Sequence, residues 1–366
     1  MKTPSFFQTQ NNKKISLPIF FPDATRAVLK TLDSIDIKNT QTPGILVNTL
    51  HLKLELGSRI LKKFKGVRNF MNWDGGVISD SGGFQVLSLV KSKGGQGKVT
   101  DEGVMFISNK SKKILLTPEK SIIFQHSIRP DMYVVLDDFT PPHATYEEAQ
   151  KTIERTIQWA KRSKAEFMKL IKSRAHTHRP YLLAVVQGGD YLDLRIECAK
   201  RLSKIGFDGL GFGGWPIDSQ GKFNYDVAKA IADNTPKNYF LYGLGVGKPD
   251  EIVGCAKMGY NIFDCVLPTR DARHKRLYVY NANNISDINV FGPSFYSYYV
   301  PDKEKHYQDN SPISLACDCH LCKNFSKAYL AHLFRIKDTT AMRLATIHNL
   351  RFYSILMEKL QKNSKQ

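Results

Sequence analysis

Residues 239–270 read YFLYGLGVGKPDEIVGCAKMGYNIFDCVLPTR. The runs 239–244 and 261–266 are short and apolar on both faces, as parallel strands covered by helices are. Between them, Pro249 followed by Asp250 and Glu251 opens a helical stretch, 249–259, because proline suits the first helical position and acids suit the positive end of the helix dipole. Strand, helix and strand in this order make a βαβ unit. The same rhythm runs outward through the chain. Strand-like runs fall at 16–21 (SLPIFF), 44–48 (GILVN), 76–80 (GVISD), 132–137 (MYVVLD), 181–187 (YLLAVVQ) and 207–212 (FDGLGF), with helical stretches at 118–128, 145–175, 190–205 and 223–233. No GxGxxG follows a strand where a dinucleotide fold needs one. The expectation is an α/β protein whose eight parallel strands close into a (β/α)8 TIM barrel.

Several of these runs end in a polar or glycine signature: Asp80, Asp137 and Asp138, Gln187, Gly213 and Gly214, Gly245, and Asp264. A single aspartate at a strand end is most often a turn or cap residue. In a barrel, however, all the C-terminal strand ends open onto one face, where chemistry takes place. A succession of acids, a Gln-Gly and a Gly-Gly turn on that face predicts a pocket.

The chain has 366 residues, 42% of them hydrophobic, enough for a sizeable core. Lys and Arg number 53 against 34 Asp and Glu, a formal net charge of +19. That excess points to a polyanionic partner such as nucleic acid; a lysine-rich proteome with basic surfaces throughout would give the same figure. No apolar run approaches the 18 residues a membrane helix needs. The N-terminal MKTPSFFQTQNNKK lacks an apolar signal core, and a cytoplasmic protein is expected.

Six cysteines in a chain of this length do not make a disulfide framework, and three of them, Cys317, Cys319 and Cys322, form C-x-C-x-x-C. A tetrahedral Zn2+ site needs a fourth ligand. His320, His332 and His348 are candidates. His320 would have to fold back on its own loop, whereas His348, on the predicted helix 337–361, brings a distant segment to the metal. Four protein ligands close the shell, which marks one structural zinc per chain rather than a catalytic one. Cys198 and Cys255 fall in helical patterns and read as core, and Cys265 points away from the side of Asp264. The expected organisation is a catalytic barrel over 1–280, an irregular insert and zinc-binding subdomain over 281–350, and a helix end and tail over 351–366.

Seven segments together resemble the tRNA-guanine transglycosylases: ISDSGGFQV (78–86), LLTPEKSI (115–122), VLDDFTPP (135–142), ERTIQWAKRS (154–163), VVQGG (185–189), IFDCVLPTR (262–270), and CDCHLCKNFSKAYLAHLF (317–334) with TIHNLRFY (346–353). The resemblance spans nearly the whole chain. It implies a pentosyltransferase that swaps a guanine, at wobble position 34 of tRNA, for a 7-deazaguanine such as preQ1 or queuine in queuosine-type modification. It further implies Asp264 as a nucleophile forming a covalent glycosyl-enzyme, and Asp80 as general acid/base. Asp137 and Gln187 would read the base edge, the Gly214 N–H its carbonyl, and Phe84 and Leu244 would sandwich it. Arg270 and Arg273 would hold the flanking nucleotides, and a homodimer would form through the zinc subdomain.

Two departures fall where the substituent of the incoming base should sit. GGWPIDSQ (213–220) replaces the Gly-Leu-Ala/Ser-Val-Gly-Glu run of members using the aminomethyl precursor, placing Trp215 and Pro216 where small residues stand and leaving Asp218 near the missing glutamate. Phe139 replaces a cysteine. The incoming base, the tRNA set and the oligomer are therefore left open, as is DNA in place of tRNA. A catalytically silent RNA-binding subunit is a third reading, against which the joint presence of Asp80, Asp137, Gln187 and Asp264 argues.

Overall fold

The computed structural model describes residues 3–83, 97–107, 113–172, 178–218 and 220–363. Eight parallel strands form one sheet: β1 (Ile19–Pro22), β2 (Gly44–Asn48), β3 (Gly76–Asp80), β4 (Met132–Val134), β5 (Tyr181–Val186), β6 (Gly209–Phe212), β7 (Phe240–Gly243) and β8 (Ile262–Cys265). They neighbour one another in the order β1-β8-β7-β6-β5-β4-β3-β2. The ring is completed by a parallel bridge between Asp23 and Leu46, with Ala24 N–H donating to the Leu46 carbonyl (2.7 Å) and Asn48 N–H to that of Thr25 (3.3 Å). Each expected run holds one strand. β1 starts at Ile19 because Pro18 has no N–H to give a ladder.

Side chains alternate across a strand, so every second residue faces the barrel axis. Ile19, Phe21, Leu46, Ile78, Met132, Val134, Leu183, Val185, Phe240, Tyr242 and Ile262 fill that interior. The intervening residues, among them Phe20, Val47, Val77, Ala184 and Phe263, pack against the surrounding helices. That outer layer contains Pro118–Ile128, Tyr146–Lys172, Leu192–Ile205, Tyr225–Asp233 and Pro249–Lys257, all within the expected stretches. An N-terminal hairpin, Phe6–Gln8 paired with Lys14–Ser16, closes the bottom. Its Phe7 is fully buried, 5.7 Å from the ring of Phe21 and 6.0 Å from that of Phe240.

Other elements escape the sequence pattern. Short helices Ser34–Asn39, Thr49–Glu55, Gly57–Lys63 and Val67–Met71 surround β2, and an antiparallel sheet of Lys98–Val99, Val104–Ile107 and Lys113–Leu116 lies between β3 and β4. The stretch expected to be irregular, 281–312, contains the strand Tyr296–Tyr299, paired antiparallel with Leu277–Tyr280. Its β-favouring tyrosines sit among Asn, Ser and Asp, which hide the pattern. His320–Asn324, Lys327–Arg335 and the long helix Thr339–Asn363 follow, the last packing Tyr353 on Phe20 of β1 at 4.5 Å. Among the described residues no helix is long and apolar enough to cross a membrane.

Phe21 marks where the interior is tightest. A Cβ on Gly44 or Gly76 would lie 2.2 or 2.8 Å from its ring, so the two glycines make room for it. Phe21→Ala should therefore lower stability by about 3–5 kcal/mol, the usual result of emptying a packed aromatic site, seen as a lower urea midpoint with an unchanged slope.

Candidate active site and metal centre

Continuing the inward alternation one step beyond the apolar layer names the residues of the barrel mouth. Two past Phe21 is Asp23, two past Leu46 is Asn48, two past Ile78 is Asp80, two past Val185 is Gln187, two past Tyr242 is Leu244, and two past Ile262 is Asp264. Asp264 is 6% exposed, and its Oδ1 accepts the Gly245 N–H at 3.0 Å. Burial pushes its carboxyl up to about 7; the Gly245 N–H and the Tyr242 hydroxyl below it pull down, and the charge of Asp80 pushes up. Asp80 accepts the Asn48 amide at 2.6 Å and the Gly82 N–H.

Asp137 accepts the Gln187 Nε2 at 2.6 Å, and Gln187 Oε1 in turn accepts the Thr140 N–H at 3.1 Å. Burial raises Asp137 to about 7, the Gln187 amide opposes this, and Asp80 and Asp138 add to it. Gly213 and Gly214 lie against the same glutamine: a Cβ would come within 2.6 Å of Gln187 Nε2 or 3.3 Å of Oε1, and Gly214 has φ +84°. A side chain at Gly213 would collide with its neighbours, and one at Gly214 would be strained. Leu244 lies over Gly211, whose added Cβ would meet it at 2.2 Å. Phe84 lies outside the described residues. Arg270 and Arg273 occupy the last turn of the helix Leu267–Arg273, directly after β8. Arg270 is exposed and lies 3.8 Å from Asp271; Arg273 is half-buried, and burial together with Arg270 lowers its pKa. Two adjacent guanidiniums of this kind suit a phosphate.

Sequence reasoning missed four residues here. Asp23 and Asn48 obey the same strand-end rule as the acids that were found. Tyr242 reads as core. Arg195, 1% exposed, donates to the carbonyls of Gly189 (2.8 Å), Val186 (2.6 Å) and Gly213 (2.7 Å). It ties together the two turns that present Gln187 and Gly214, although an arginine in a helical stretch reads as surface. Asp218 does not enter the pocket: it accepts the N–H groups of Gln220 (2.8 Å) and Lys222 (2.9 Å) in its own turn. Trp215 stands 48% exposed. Cys265 packs against the outer core, and Cys198 and Cys255 are buried within it.

Away from the mouth, the ligand atoms of Cys317, Cys319, Cys322 and His348 all lie within 4.8 Å of one another. His348 Nδ1 is 3.5 Å from the Cys319 sulfur and 3.2 Å from that of Cys322, while Nε2 lies 2.8 Å from the Tyr278 carbonyl. That carbonyl holds the proton on Nε2 and leaves Nδ1 to bind. Three thiols and one imidazole so gathered could hold a metal ion. His320 instead meets Asn324 (3.2 Å), and His332 is exposed.

A parallel barrel with acids gathered at its mouth and a Cys3His cluster beyond it is an architecture that can support catalysis. The family model for queuine tRNA-ribosyltransferase matches residues 5–365. Proteins of that name from Caldanaerobacter subterraneus (38% identical over 353 residues; 96% of this chain, 87% of the relative) and Psychrobacter cryohalolentis (37%; 96% and 87%) are similar to it, as is one from a Shewanella species (37% over 348 residues; 95% and 86%). The chain belongs to the queuine tRNA-ribosyltransferase family, a family of pentosyltransferases.

Because the folded pKa of Asp264 lies above the ordinary carboxylate value, the native state binds the extra proton, and this contribution to stability is lost as pH rises from about 4 through about 7. Asp264→Asn, which cannot ionise, should melt above the wild type at pH 8, with the gap closing towards pH 4 in thermal unfolding at several pH values.

Proposed function

We propose that this protein exchanges a guanine at wobble position 34 of tRNA for a free 7-deazaguanine, such as preQ1 or queuine, through a covalent aspartyl–ribosyl intermediate. The observation that carries the reading is the convergence of Asp264 and Asp80 on one barrel mouth, beside the Asp137–Gln187 pair. An Asp264 carboxylate oxygen bonds to C1′ as the C1′–N9 bond breaks. The bonding pair leaves with the guanine, and Asp80 supplies the proton that base takes up. The incoming base then gives its N9 proton to Asp80, its nitrogen pair attacks C1′, and Asp264 departs as carboxylate. Splitting one displacement into two is the logic of a carboxylate nucleophile.

The base edge meets Asp137, the Gln187 amide and the Gly214 N–H, a mixture of acceptor and donors that suits a purine carrying O6 and an exocyclic amine. Leu244 forms one wall, and Phe84 is proposed for the other. The nucleotide must leave its stack to enter, and Arg270 and Arg273 would hold the strand beside it. Cys317, Cys319, Cys322 and His348 would hold a structural Zn2+ and so fasten the subdomain. Homodimer formation through that subdomain and a cytoplasmic location belong to the same reading. Trp215, Pro216 and Phe139 would shape the end of the pocket that receives the 7-substituent.

Labelled guanine offered with total tRNA should be incorporated, genomic DNA should give none, and competition by unlabelled 7-deazaguanines should rank the incoming bases. Asp264→Asn should lose exchange and the RNA complex that survives denaturing gels, while shifting RNA in native gels as wild type does. A variant that still exchanges guanine would sink the assignment. Metal analysis should find one zinc per chain. Cys319→Ser should lose that zinc and melt earlier; unchanged metal content would contradict the site.

A further inference from the structure

Asp23 is a third carboxyl at the mouth, and the exchange steps above do not use it. The register places it. Phe21 pairs with Asp264 across β1 and β8, and Asp23, just past the end of β1, is the next inward residue. On its other side Asp23 bridges Leu46, and the next inward residue of that strand, Asn48, donates to Asp80. Around the rim the order is therefore Asp264, Asp23, Asn48, Asp80. Asp23 is partly exposed to the mouth. Its carboxyl faces both Asp264 and Asp80; burial first, then these two charges, hold it well above the ordinary carboxylate range. Among the described residues no hydrogen-bond donor or cation contacts it. A carboxyl placed against two acids without a donor destabilises the fold, so the missing donor is to be sought on the substrate.

We propose that Asp23 accepts a hydrogen bond from the 2′-hydroxyl of the target ribose and thereby selects RNA over DNA. The inference rests on the base-exchange reading. If Asp264 bonds to C1′, the neighbouring carbon C2′ presents its substituent to the groups flanking that carboxyl, and Asp23 flanks it on the side of Asp80. Within a polynucleotide the 3′-oxygen is esterified and the 4′-oxygen closes the ring, so the 2′-hydroxyl is the one donor the furanose offers. It is also the group that distinguishes RNA from DNA. Hydrogen bonds to the hydroxyl beside a reacting anomeric carbon strengthen as positive charge develops there. Asp23 offers an acceptor oxygen whether or not it is protonated.

The test compares two anticodon-arm hairpins, one all-ribo and one carrying a 2′-deoxy sugar at the target guanosine alone, by kcat/KM for labelled guanine. Wild type should prefer the ribo hairpin. Asp23→Ala should lose on the order of 10–100-fold on the ribo hairpin, the effect of removing a hydrogen bond to a potentially charged group, and stay within about threefold of wild type on the deoxy hairpin. Asp23→Asn, isosteric and still carrying an acceptor oxygen, should keep most of the preference. Equal losses on both hairpins, or a preference that Asp23→Ala leaves intact, would overturn the proposal. A wild type that turns over both hairpins equally would overturn it without any variant. A wild type that exchanges neither would instead bring down the base-exchange reading and this inference together.

Discussion

The site exists because the sheet closes on itself. Counted through β4 to β7, Asp80 and Asp264 stand five strand spacings apart, roughly 24 Å at the usual separation of neighbouring strands. Counted across the seam between β1 and β2, they stand three apart. That seam is slight: one isolated bridge, Asp23 to Leu46, and two backbone hydrogen bonds beside it. What holds it shut is the interior. Phe21 fills the space left by Gly44 and Gly76, and Phe7 of the N-terminal hairpin caps the bottom against Phe21 and Phe240. The apolar layers set the diameter, and the diameter sets the distance between the acids above them.

Charge is handled differently at the mouth and elsewhere. Asp131 faces Arg68, Asp138 faces Arg155, Asp36 faces Arg343 and Asp318 faces Arg351, so each of these structural acids has its own guanidinium. Asp264 and Asp137 are held by neutral donors instead, a backbone N–H and a side-chain amide. A neutral donor orients a carboxyl without fixing it as an anion, and burial then lifts both to about 7. Groups poised there can change protonation during a reaction at neutral pH. A buried cation nearby, Arg195, turns to backbone carbonyls, where it stiffens two turns without neutralising the acids.

The strands were legible because a buried parallel strand leaves a run apolar on both faces, and most of the eight runs did so. The polar residues ending those runs were legible for the same reason. Asp23 and Asn48 obey that rule too, but the first run ends at Phe21 on hydrophobicity alone, and one asparagine at the end of the second reads as an ordinary turn residue. The helices between 34 and 71 are each seven residues or fewer, too short for a 3.6-residue period to declare itself. Tyr296–Tyr299 earns no pattern of its own, since one strand among polar residues becomes a strand only when Leu277–Tyr280 pairs with it. Arg195 was hidden by its type: nothing local says that an arginine will find three carbonyls.

The Cys3His cluster is remote from the mouth carboxyls in sequence, yet its helix reaches them through backbone. His348 meets the Tyr278 carbonyl through Nε2, and the next residue, Asn349, accepts the Tyr278 N–H at 3.1 Å. The Asn349 amide donates to the carbonyls of Pro268 and Arg276, each at 3.0 Å, and Tyr353 donates to that of Gly247 at 2.6 Å. Pro268 lies in the first turn of the helix that carries Arg270 and Arg273 after β8, and Gly247 lies in the turn whose Gly245 N–H holds the Asp264 carboxyl. One face of one helix thus pins both segments that orient Asp264. An ion that fixed His348 would fix that helix in rotation and height, and its effect at the mouth would be positional, transmitted by side chains that are themselves buried and hydrogen-bonded rather than by any charge reaching the mouth.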